Sequence, residues 1–468
     1  MDEANSVRIA KMSLSQLVPE VSRDVNPPLY YILLHYWISF FGSSDFSVRF
    51  MSVIFAVLAI LMIYKVGNLI FDKDVGLLSA LILAFSIYHI HYSQEARMYS
   101  QAVLFTLVSM FYMIKHEREG KLIFAGVYII STVCLIYSHV YGLFILAAQN
   151  IYMLTRFFLD RNDLKPMITK WIFLQFATVI FFIPWISAFM NQIIRVHSGF
   201  WIPTLPIRKI ATPLLMYSGS WGLFTFFVSL LCLSAGRYVF IKDSEKWEDH
   251  FRSLWRRHRT EGFADIWKSY FLLAWLSVPI ILPFLISRYF TPILMTRYTL
   301  VASPAFYLLT SKAIRHLAPR NIRTSCTIVI ILLSLFNVHA YYKSVNKPPW
   351  RDVAMHLDSS VLDTDLIIFH KGFCRHSFNY YFKKQQLRQI PFPRDNSKLT
   401  DDILRNLDEL VRDYTRVWLI LAYYEGEERL ILERLNKQYT SRYHRKYLSH
   451  AYALGKSVSI DVFLFQKK

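Results

Sequence analysis

The chain has 468 residues, of which 54% are hydrophobic and 16% aromatic, and its mean hydropathy is +0.29. Apolar runs of about twenty residues recur through the first three quarters, each long enough to cross the roughly 30 Å hydrocarbon core of a bilayer, which excludes an ordinary soluble protein. The formal charge of +20 suits a nucleic-acid partner, but lysine and arginine also collect in cytoplasmic loops, so we predict a multi-pass membrane protein without nucleic acid.

The N-terminal segment combines three acids with an amphipathic pattern. Asp2, Glu3 and Asp24 flank residues 4–23, which we expect to form one or two helices resting on the bilayer. The apolar positions of this segment are Val7, Ile9, Met12, Leu14, Leu17, Val18 and Val21. A partly desolvated carboxylate at a membrane interface can act as a general base. The alternative for Asp2 and Glu3, which spacing alone favours, is a helix-start role.

The apolar stretch Pro27–Phe41 follows Asp24 directly. Its length of about fifteen residues is too short for a comfortable span. We therefore predict a helix in the outer membrane interface, with Pro28 in its first turn. Such a helix would anchor Asp24 at the membrane surface.

Ten membrane spans follow from the hydropathy pattern. They cover residues 48–66, 76–92, 99–114, 122–138, 140–156, 169–190, 220–240, 269–287, 298–312 and 324–343. If the spans alternate, the lysine- and arginine-rich segments 115–121, 155–165, 242–268 and 312–323 share one side, which we assign to the cytoplasm. The polar clusters that could take part in catalysis or binding then fall on the extracytoplasmic side.

One of these clusters is "SQEARMYS" (93–100), which contains Glu95, Arg97 and Tyr99. Ionisable residues next to a span are costly unless they have partners or a function. The guanidinium of Arg97 has a shape suited to phosphate. The alternative is a neighbouring Glu95–Arg97 pair that caps the helix ends.

Further polar residues fall on the same predicted side. Arg49 begins a span against the usual charge bias, which an anionic lipid head group or snorkelling would explain. His139 occupies an outer turn, where a lone histidine is more often a hydrogen-bonded structural residue. Arg288, Arg297 and Tyr298 form a second cationic cluster. Several arginines on one face suit a phosphate-bearing ligand.

From about residue 345 the composition becomes polar. Residues 363–370 and 416–424 have the pattern of buried strands, and 401–413 that of a helix. We expect a small external α/β domain, which either contacts the acceptor or covers the site. The predicted division is therefore a first external loop (1–47), a transmembrane helical domain (48–343) and an extracytoplasmic α/β domain (344–468).

Together these stretches resemble the GT-C membrane glycosyltransferases, specifically the dolichyl- and polyprenyl-phosphate-mannose protein mannosyltransferase-like group (glycosyltransferase family 39 and relatives). The matching phrases are "DEANSV", "DVNPPLYYILLHYW", "FSVRFMSVIFAVLAILMIYKVGNLIF", "YSQEARMYS", "YSHVYGLF", "GFWIPT", "TRYTLVASPAFYLL" and "PPWRDVAMHL". No single phrase is specific to the family by itself. Their common order and their spread over nearly the whole chain make the set specific.

The resemblance implies a mainly helical GT-C fold in the cell membrane, with its active site on the extracytoplasmic face. It also implies transfer of a hexose such as mannose, with inversion, from a polyprenyl- or dolichyl-phosphate donor to a glycan, lipid or protein hydroxyl. No divalent metal is required by this mechanism, and membrane lipids are expected partners. The positively charged side chains balance the departing phosphate, and one carboxylate activates the hydroxyl.

Carried over by position, Asp2 becomes the base candidate, with Glu3 beside it, and Asp24 a second acid in the sugar or acceptor pocket. The candidates for the lipid phosphate are Arg49, Arg97 and Arg297. The supporting residues are Glu95, Tyr99 and His139.

Two departures from the family pattern bear on these roles. Relatives have a membrane span before the Asp-Glu pair, which we expect to be missing here because Met1 precedes Asp2. Asn26 stands where relatives often have histidine or lysine. The alternatives are a transporter or flippase of a lipid-linked substrate, which favours inverted repeats and charges deep in spans, and a truncated membrane protein without catalysis.

Overall fold

The computed structural model describes residues 2–159, 164–198, 202, 206–240, 261–317, 319–344, 347–393, 399–423, 426, 428–449 and 459–468. The side chains of residues 2, 159, 164–167, 235–240 and 261–265 lie outside this description, as do parts of the basic segments 155–165 and 242–268. The chain divides into two compact units. One comprises residues 9–338, and the other combines residues 1–8 with 339–468.

The described part of the first unit is helical throughout. The chain opens with α1 (Asp2–Ala10), which begins in the other unit, and continues with α2 (Leu14–Ser22) and α3 (Leu29–Phe41). There follow α4 (Asp45–Ile70), α5 (Lys73–Phe85), α6 (Ile87–Ser93), α7 (Tyr99–Glu119), α8 (Leu122–Ser138), α9 (Gly142–Leu159), α10 (Leu164–Ser198), α11 (Thr212–Ser218), α12 (Trp221–Phe240), α13 (Glu261–Tyr289), α14 (Ser303–Arg315) and α15 (Arg320–Lys343). Short 3-10 helices cover Ile207–Lys209 and Thr296–Ala302.

Within the described residues, four helices are long and apolar enough to cross a membrane, namely α4, α10, α13 and α15. The number rises to six if the bent pairs α5–α6 and α11–α12 each count as one span. Helices α3, α8 and α9 are apolar but shorter. These helices support the prediction of a multi-pass membrane protein.

Two predicted spans are interrupted. Residues 76–92 bend by 61° between α5 and α6, because Ser86 adopts an extended backbone and its side chain caps α6 by accepting from the His89 amide. Residues 298–312 begin in the 3-10 helix Thr296–Ala302 rather than in α14. The second interruption contains Arg297 and Tyr298, which the sequence analysis singled out.

The N-terminal helices form as predicted, but their apolar face is covered differently. Leu17 and Val21 are fully buried in the protein, and α2 packs against α10. The prediction that these two residues rest on the bilayer is therefore wrong, because another helix covers them. Pro28 is the N-cap of α3 rather than a residue of its first turn, and this helix occupies the predicted Pro27–Phe41 segment.

Buried polar side chains connect α7, α8, α9 and α10. The Tyr128 hydroxyl donates to Gln149 Oε1 (3.0 Å), and Gln149 Nε2 donates to Ser109 Oγ (2.8 Å). Gln175 Nε2 donates to the Tyr128 hydroxyl (3.1 Å). Hydrogen bonds between apolar helices fix their register, so this network sets the positions of the turns at the helix ends.

The second unit contains a five-stranded sheet with helices on both faces. Its helices are α16 (Trp350–Ser360), α17 (Cys374–Asn379), α18 (Asp401–Val411) and α19 (Glu428–Gln438). Its strands are β1 (Leu366–His370), β2 (Arg388–Pro391), β3 (Arg416–Ala422), β4 (Tyr439–Leu448) and β5 (Ser459–Lys467). The strand order is β2-β1-β3-β5-β4, with β1, β2 and β3 parallel and β5 antiparallel to its neighbours β3 and β4.

Successive side chains of a strand point to opposite faces of the sheet, so alternate residues of the central strands belong to two different hydrophobic cores. Ile367 and Phe369 pack with α16 on one face, and Leu366 and Ile368 pack with α18 on the other. The predicted strands at 363–370 and 416–424 and the predicted helix at 401–413 are confirmed. The fold class is confirmed as a helical membrane protein with a small C-terminal α/β domain, whereas the predicted domain boundaries stay a prediction.

Candidate active site

Asp24 lies in the short connection between α2 and α3. Its Oδ1 accepts from the Val25 amide (2.8 Å), and its Oδ2 accepts from the Tyr31 hydroxyl (3.3 Å). Asn26 Nδ2 contributes a longer contact to the same Oδ2 (3.4 Å). Three donors therefore fix the orientation of this carboxylate at the start of α3.

Arg97 lies in the turn between α6 and α7 and is only 7% exposed. Its Nη1 donates to the Tyr31 hydroxyl (3.2 Å). Because that hydroxyl also donates to Asp24, Tyr31 bridges the two residues. The structure thus brings Asp24 and Arg97 into one site within the unit of residues 9–338.

The backbone of the Arg97 turn is tied to α4. Ser52 Oγ donates to the Arg97 carbonyl (3.4 Å) and lies 3.1 Å from the Tyr30 hydroxyl. Arg49 is half-buried one turn before Ser52 on the same face of α4. Its predicted contact with a lipid phosphate stays a prediction.

Glu95 pairs with a histidine of the preceding helix. Its Oε1 lies 3.5 Å from His91 Nε2, four residues earlier. The Glu95 carbonyl accepts from the Arg97 amide (2.7 Å), which closes the turn. Glu95 therefore supports the backbone that presents Arg97.

Around Arg97 lies an arginine–tyrosine cluster, which we define as Arg97, Arg297, Tyr99, Tyr298 and His139. The His139 ring lies 4.9 Å from the Tyr298 ring and 6.0 Å from the Tyr99 ring, measured between centroids. The Tyr99 and Tyr298 rings stack at 6.5 Å, and Arg297 Cζ lies 5.4 Å from the Tyr298 centroid. Residues from three separate turns therefore meet.

Tyrosine hydroxyls hold the 3-10 helix that carries Arg297. Tyr88 donates to the Thr296 carbonyl (2.6 Å), and Tyr217 donates to the Thr299 carbonyl (2.6 Å). Tyr141 donates to the Ile293 carbonyl just before this helix (3.2 Å). These bonds leave the backbone around Arg297 little freedom to move. Arg288, by contrast, is exposed at the end of α13.

His139 lies in the turn between α8 and α9 and is only 4% exposed. Its Nδ1 accepts from the Tyr141 amide (3.1 Å), so this nitrogen carries no proton. Burial, together with the positive charges of Arg97 and Arg297, lowers the pKa of His139 to about 3. The neutral His139 therefore adds no positive charge to that of the two arginines.

Acidification is expected to destabilise the protein through His139. Because its pKa falls from 6.5 to about 3 on folding, the unfolded chain binds a proton below about pH 6.5 that the folded chain excludes. The free energy of unfolding should therefore decrease by about 1.4 kcal/mol per pH unit as the pH falls through this interval. Thermal unfolding in detergent at about pH 7 and pH 4 measures the effect.

The His139→Gln variant should show a smaller loss of melting temperature between the two pH values. The control is His116→Gln, which replaces a histidine at the end of α7 that bonds the Lys121 carbonyl. If the melting temperatures of His139→Gln and of the parent chain fall by the same amount between the two pH values, the assignment of His139 as a buried neutral side chain is wrong.

The acid pair at the N-terminus belongs to the other unit, with residues 339–468. Glu3 Oε2 lies 3.0 Å from Lys347 Nζ. The side chain of Asp2 lies outside the described residues, so its predicted role stays a prediction. Among the residues that the structure describes, no group of three or more histidine, cysteine, aspartate or glutamate side chains is arranged to hold a metal ion.

Residues 25–187 match the family model described as dolichyl-phosphate-mannose-protein mannosyltransferase. The crystal structure of apo ArnT from Cupriavidus metallidurans is similar, with a TM-score of 0.57 at 10% identity over 98% of this chain and 93% of ArnT. ArnT bound to undecaprenyl phosphate gives a TM-score of 0.52 at 10% identity over 93% of this chain and 87% of ArnT.

A third similar structure is the oligosaccharyltransferase AglB from Archaeoglobus fulgidus, in complex with an inhibitory peptide and a dolichol-phosphate. Its TM-score is 0.53 at 10% identity, over 84% of this chain and 61% of AglB. No curated protein matches the chain by sequence. ArnT and AglB are both GT-C glycosyltransferases. The chain has the fold of these GT-C structures, and its residues 25–187 match the protein-mannosyltransferase family model.

The sequence pattern did not single out two residues of this candidate site, Tyr31 and His91, or Lys347 in the other unit. Tyr31 lies in an apolar run. A buried tyrosine hydroxyl needs a hydrogen-bond partner, so its position could have indicated a polar contact. His91 precedes Glu95 by four residues, the spacing of helix neighbours. Lys347 carried no local signal, because its partner lies 344 residues away.

Proposed function

We propose that this GT-C protein is a membrane glycosyltransferase that moves a sugar from a polyprenyl- or dolichyl-phosphate donor to an acceptor hydroxyl. The expected sugar is a hexose such as mannose. The observation that carries the proposal is the Tyr31 bridge, which holds a carboxylate and a buried guanidinium in one site. Such a site combines a sugar-binding acid with a phosphate-binding positive charge.

The proposed donor agrees with the charges of the arginine–tyrosine cluster. Arg97 and Arg297 both act on the neutral His139, so two positive charges lie close together. Guanidinium groups are good donors to phosphate oxygens, so an anionic ligand suits this position. The ArnT and AglB structures that hold undecaprenyl phosphate and dolichol-phosphate suggest a lipid phosphate as that anion.

The proposed reaction is a single displacement. The acceptor oxygen forms a bond to the anomeric carbon, and the bond between that carbon and the phosphate oxygen breaks. The acceptor proton goes to a carboxylate base, and the leaving lipid phosphate gains one negative charge. Attack opposite the leaving group inverts the anomeric centre, and Arg97 and Arg297 stabilise the departing charge. The proposed step does not require a metal ion.

The two acids take different proposed roles. Asp24 is already hydrogen-bonded through both carboxylate oxygens, which suits an acid that orients the sugar or the acceptor. Asp2, with Glu3 beside it, is the proposed base by its position in the family pattern. Arg49 is proposed as a further ligand of the lipid phosphate, and Glu95, Tyr99 and His139 support the site.

The acceptor is proposed as a glycan, a lipid or a protein, and the AglB structures solved with peptides support a protein. The distribution of lysine and arginine supports an extracytoplasmic active site in the cell membrane. Nucleic acid is not an expected partner.

The test uses membranes that contain the full chain, incubated with polyprenyl-phosphate mannose labelled in the sugar. The same donor carrying glucose tests the choice of hexose. We expect labelled sugar in an acceptor fraction, joined with the anomeric configuration opposite to that of the donor. Donor that crosses the membrane without transfer would instead support the flippase alternative, and retention of configuration would contradict the single displacement.

A further inference from the structure

The ion pair between Glu3 and Lys347 connects the acid-bearing helix to the C-terminal α/β domain. The Glu3 and Lys347 side chains are 23% and 30% exposed, so both are largely shielded from water. Both residues belong to the compact unit formed by residues 1–8 and 339–468. Charge pairs that are partly removed from water are screened less than surface pairs.

The backbone that follows Lys347 is rigid and leads directly into the interior of this domain. Pro348 and Pro349 follow it directly, and each proline fixes its own φ angle. The next residue, Trp350, is 3% exposed and packs in the hydrophobic core with Val353 and Leu357. A buried tryptophan three residues away therefore anchors the lysine.

The following turn of α1 is also restrained. Ser6 and Val7 are buried, and Arg8 Nη2 donates to Asn5 Oδ1 (3.0 Å). Arg8 lies close enough to α17 to act on His376, whose pKa is lowered by burial and by nearby positive charge. Glu3 thus lies at the N-terminal end of a helix whose next turn is buried at Ser6 and Val7.

We propose that Lys347 is a positioning residue for the Asp2–Glu3 acid pair. The inference rests on the proposed function, since it assumes that the pair supplies the base. The first turn of a helix has unsatisfied backbone groups and is prone to fraying. The ion pair opposes that fraying and neutralises one of two adjacent carboxylates. It also gives the "KPPW" segment (347–350) a role that the sequence pattern did not reveal.

The experiment compares Lys347→Met, Lys347→Arg, Glu3→Gln and the double variant Lys347→Met with Glu3→Gln, all in the full chain. Hydrogen exchange of the amides of residues 3–8 should be about tenfold faster in Lys347→Met and restored in Lys347→Arg. In the transfer assay with polyprenyl-phosphate mannose, Lys347→Met should lower kcat about tenfold and leave the donor KM within about twofold. The double variant should be no worse than the poorer single variant.

Lys384→Met is the matched control, because Lys384 is a partly buried lysine of the same domain that donates to the Val361 carbonyl (3.0 Å). It should leave both the exchange of α1 and kcat unchanged. Unaltered exchange in Lys347→Met overturns the proposal, as does faster exchange with unaltered kcat in an otherwise active chain. A parent chain that transfers no sugar contradicts the proposed function instead, and hydrogen exchange alone then decides whether Lys347 holds α1.

Discussion

Replacing Arg97 with glutamine is expected to lower kcat/KM for the lipid-phosphate donor by about two to three orders of magnitude, as loss of a main charge-stabilising donor does. In the proposed reaction the leaving phosphate gains a negative charge as the glycosidic bond breaks, so Arg97 is expected to bind the transition state more strongly than the ground state. Most of the loss should therefore fall on kcat rather than on KM. Initial rates with labelled polyprenyl-phosphate mannose over a range of donor concentrations measure both constants.

Arg97→Lys separates charge from geometry. Lysine keeps the charge but not the planar fork that holds Arg97 against the Tyr31 hydroxyl. We expect a loss of about tenfold, between the parent chain and Arg97→Gln. Arg315→Gln is the control, since Arg315 pairs with the exposed Asp72 (3.0 Å) at the end of α14. Equal losses in Arg97→Gln and Arg315→Gln would indicate general destabilisation and contradict a role for Arg97 in transfer.

The fold was largely predictable from the sequence because bilayer thickness and side-chain period are local constraints. The ten predicted spans fall on helical segments, although only four of the described helices, or six if each bent pair counts as one, are long and apolar enough to cross a membrane. The buried strands β1 and β3 were predicted to within three residues. The breaks at Ser86 and before Ser303 were not predictable from hydropathy, because apolar residues continue through both positions. They depend on a serine cap and on tyrosine hydroxyls from distant helices.

The residue types of the candidate site can be singled out in the sequence, whereas the contacts between these residues cannot. Arg97 and Asp24 were recognisable because charged residues at membrane depth are costly, yet nothing local indicates that one tyrosine joins them. The burial of Leu17 and Val21 inside the protein was not predicted for a similar reason. Hydropathy identifies an apolar face but does not tell whether lipid or another helix, here α10, covers it.

Asp2→Asn is expected to lower kcat by about two to four orders of magnitude, the usual contribution of a general base, with the donor KM nearly unchanged. Asparagine keeps the size of the aspartate side chain, but its amide does not take up the proton of the acceptor hydroxyl. Asp24→Asn should behave differently, because Asp24 already accepts from the Val25 amide and the Tyr31 hydroxyl. Its loss should raise KM for the donor or the acceptor as well as lower kcat, since it removes an orienting contact.

The comparison of the two acid variants decides which carboxylate takes the proton. A base acts only as the acceptor oxygen attacks, so its removal leaves binding intact, whereas an orienting acid contributes before and during the attack. If Asp24→Asn shows the pure kcat loss and Asp2→Asn retains activity, the base is Asp24 and the assignment by family position is wrong. Asp402→Asn is the control, because this exposed carboxylate of α18 pairs only locally, with Arg405 three residues on (3.1 Å), and should leave both constants unchanged.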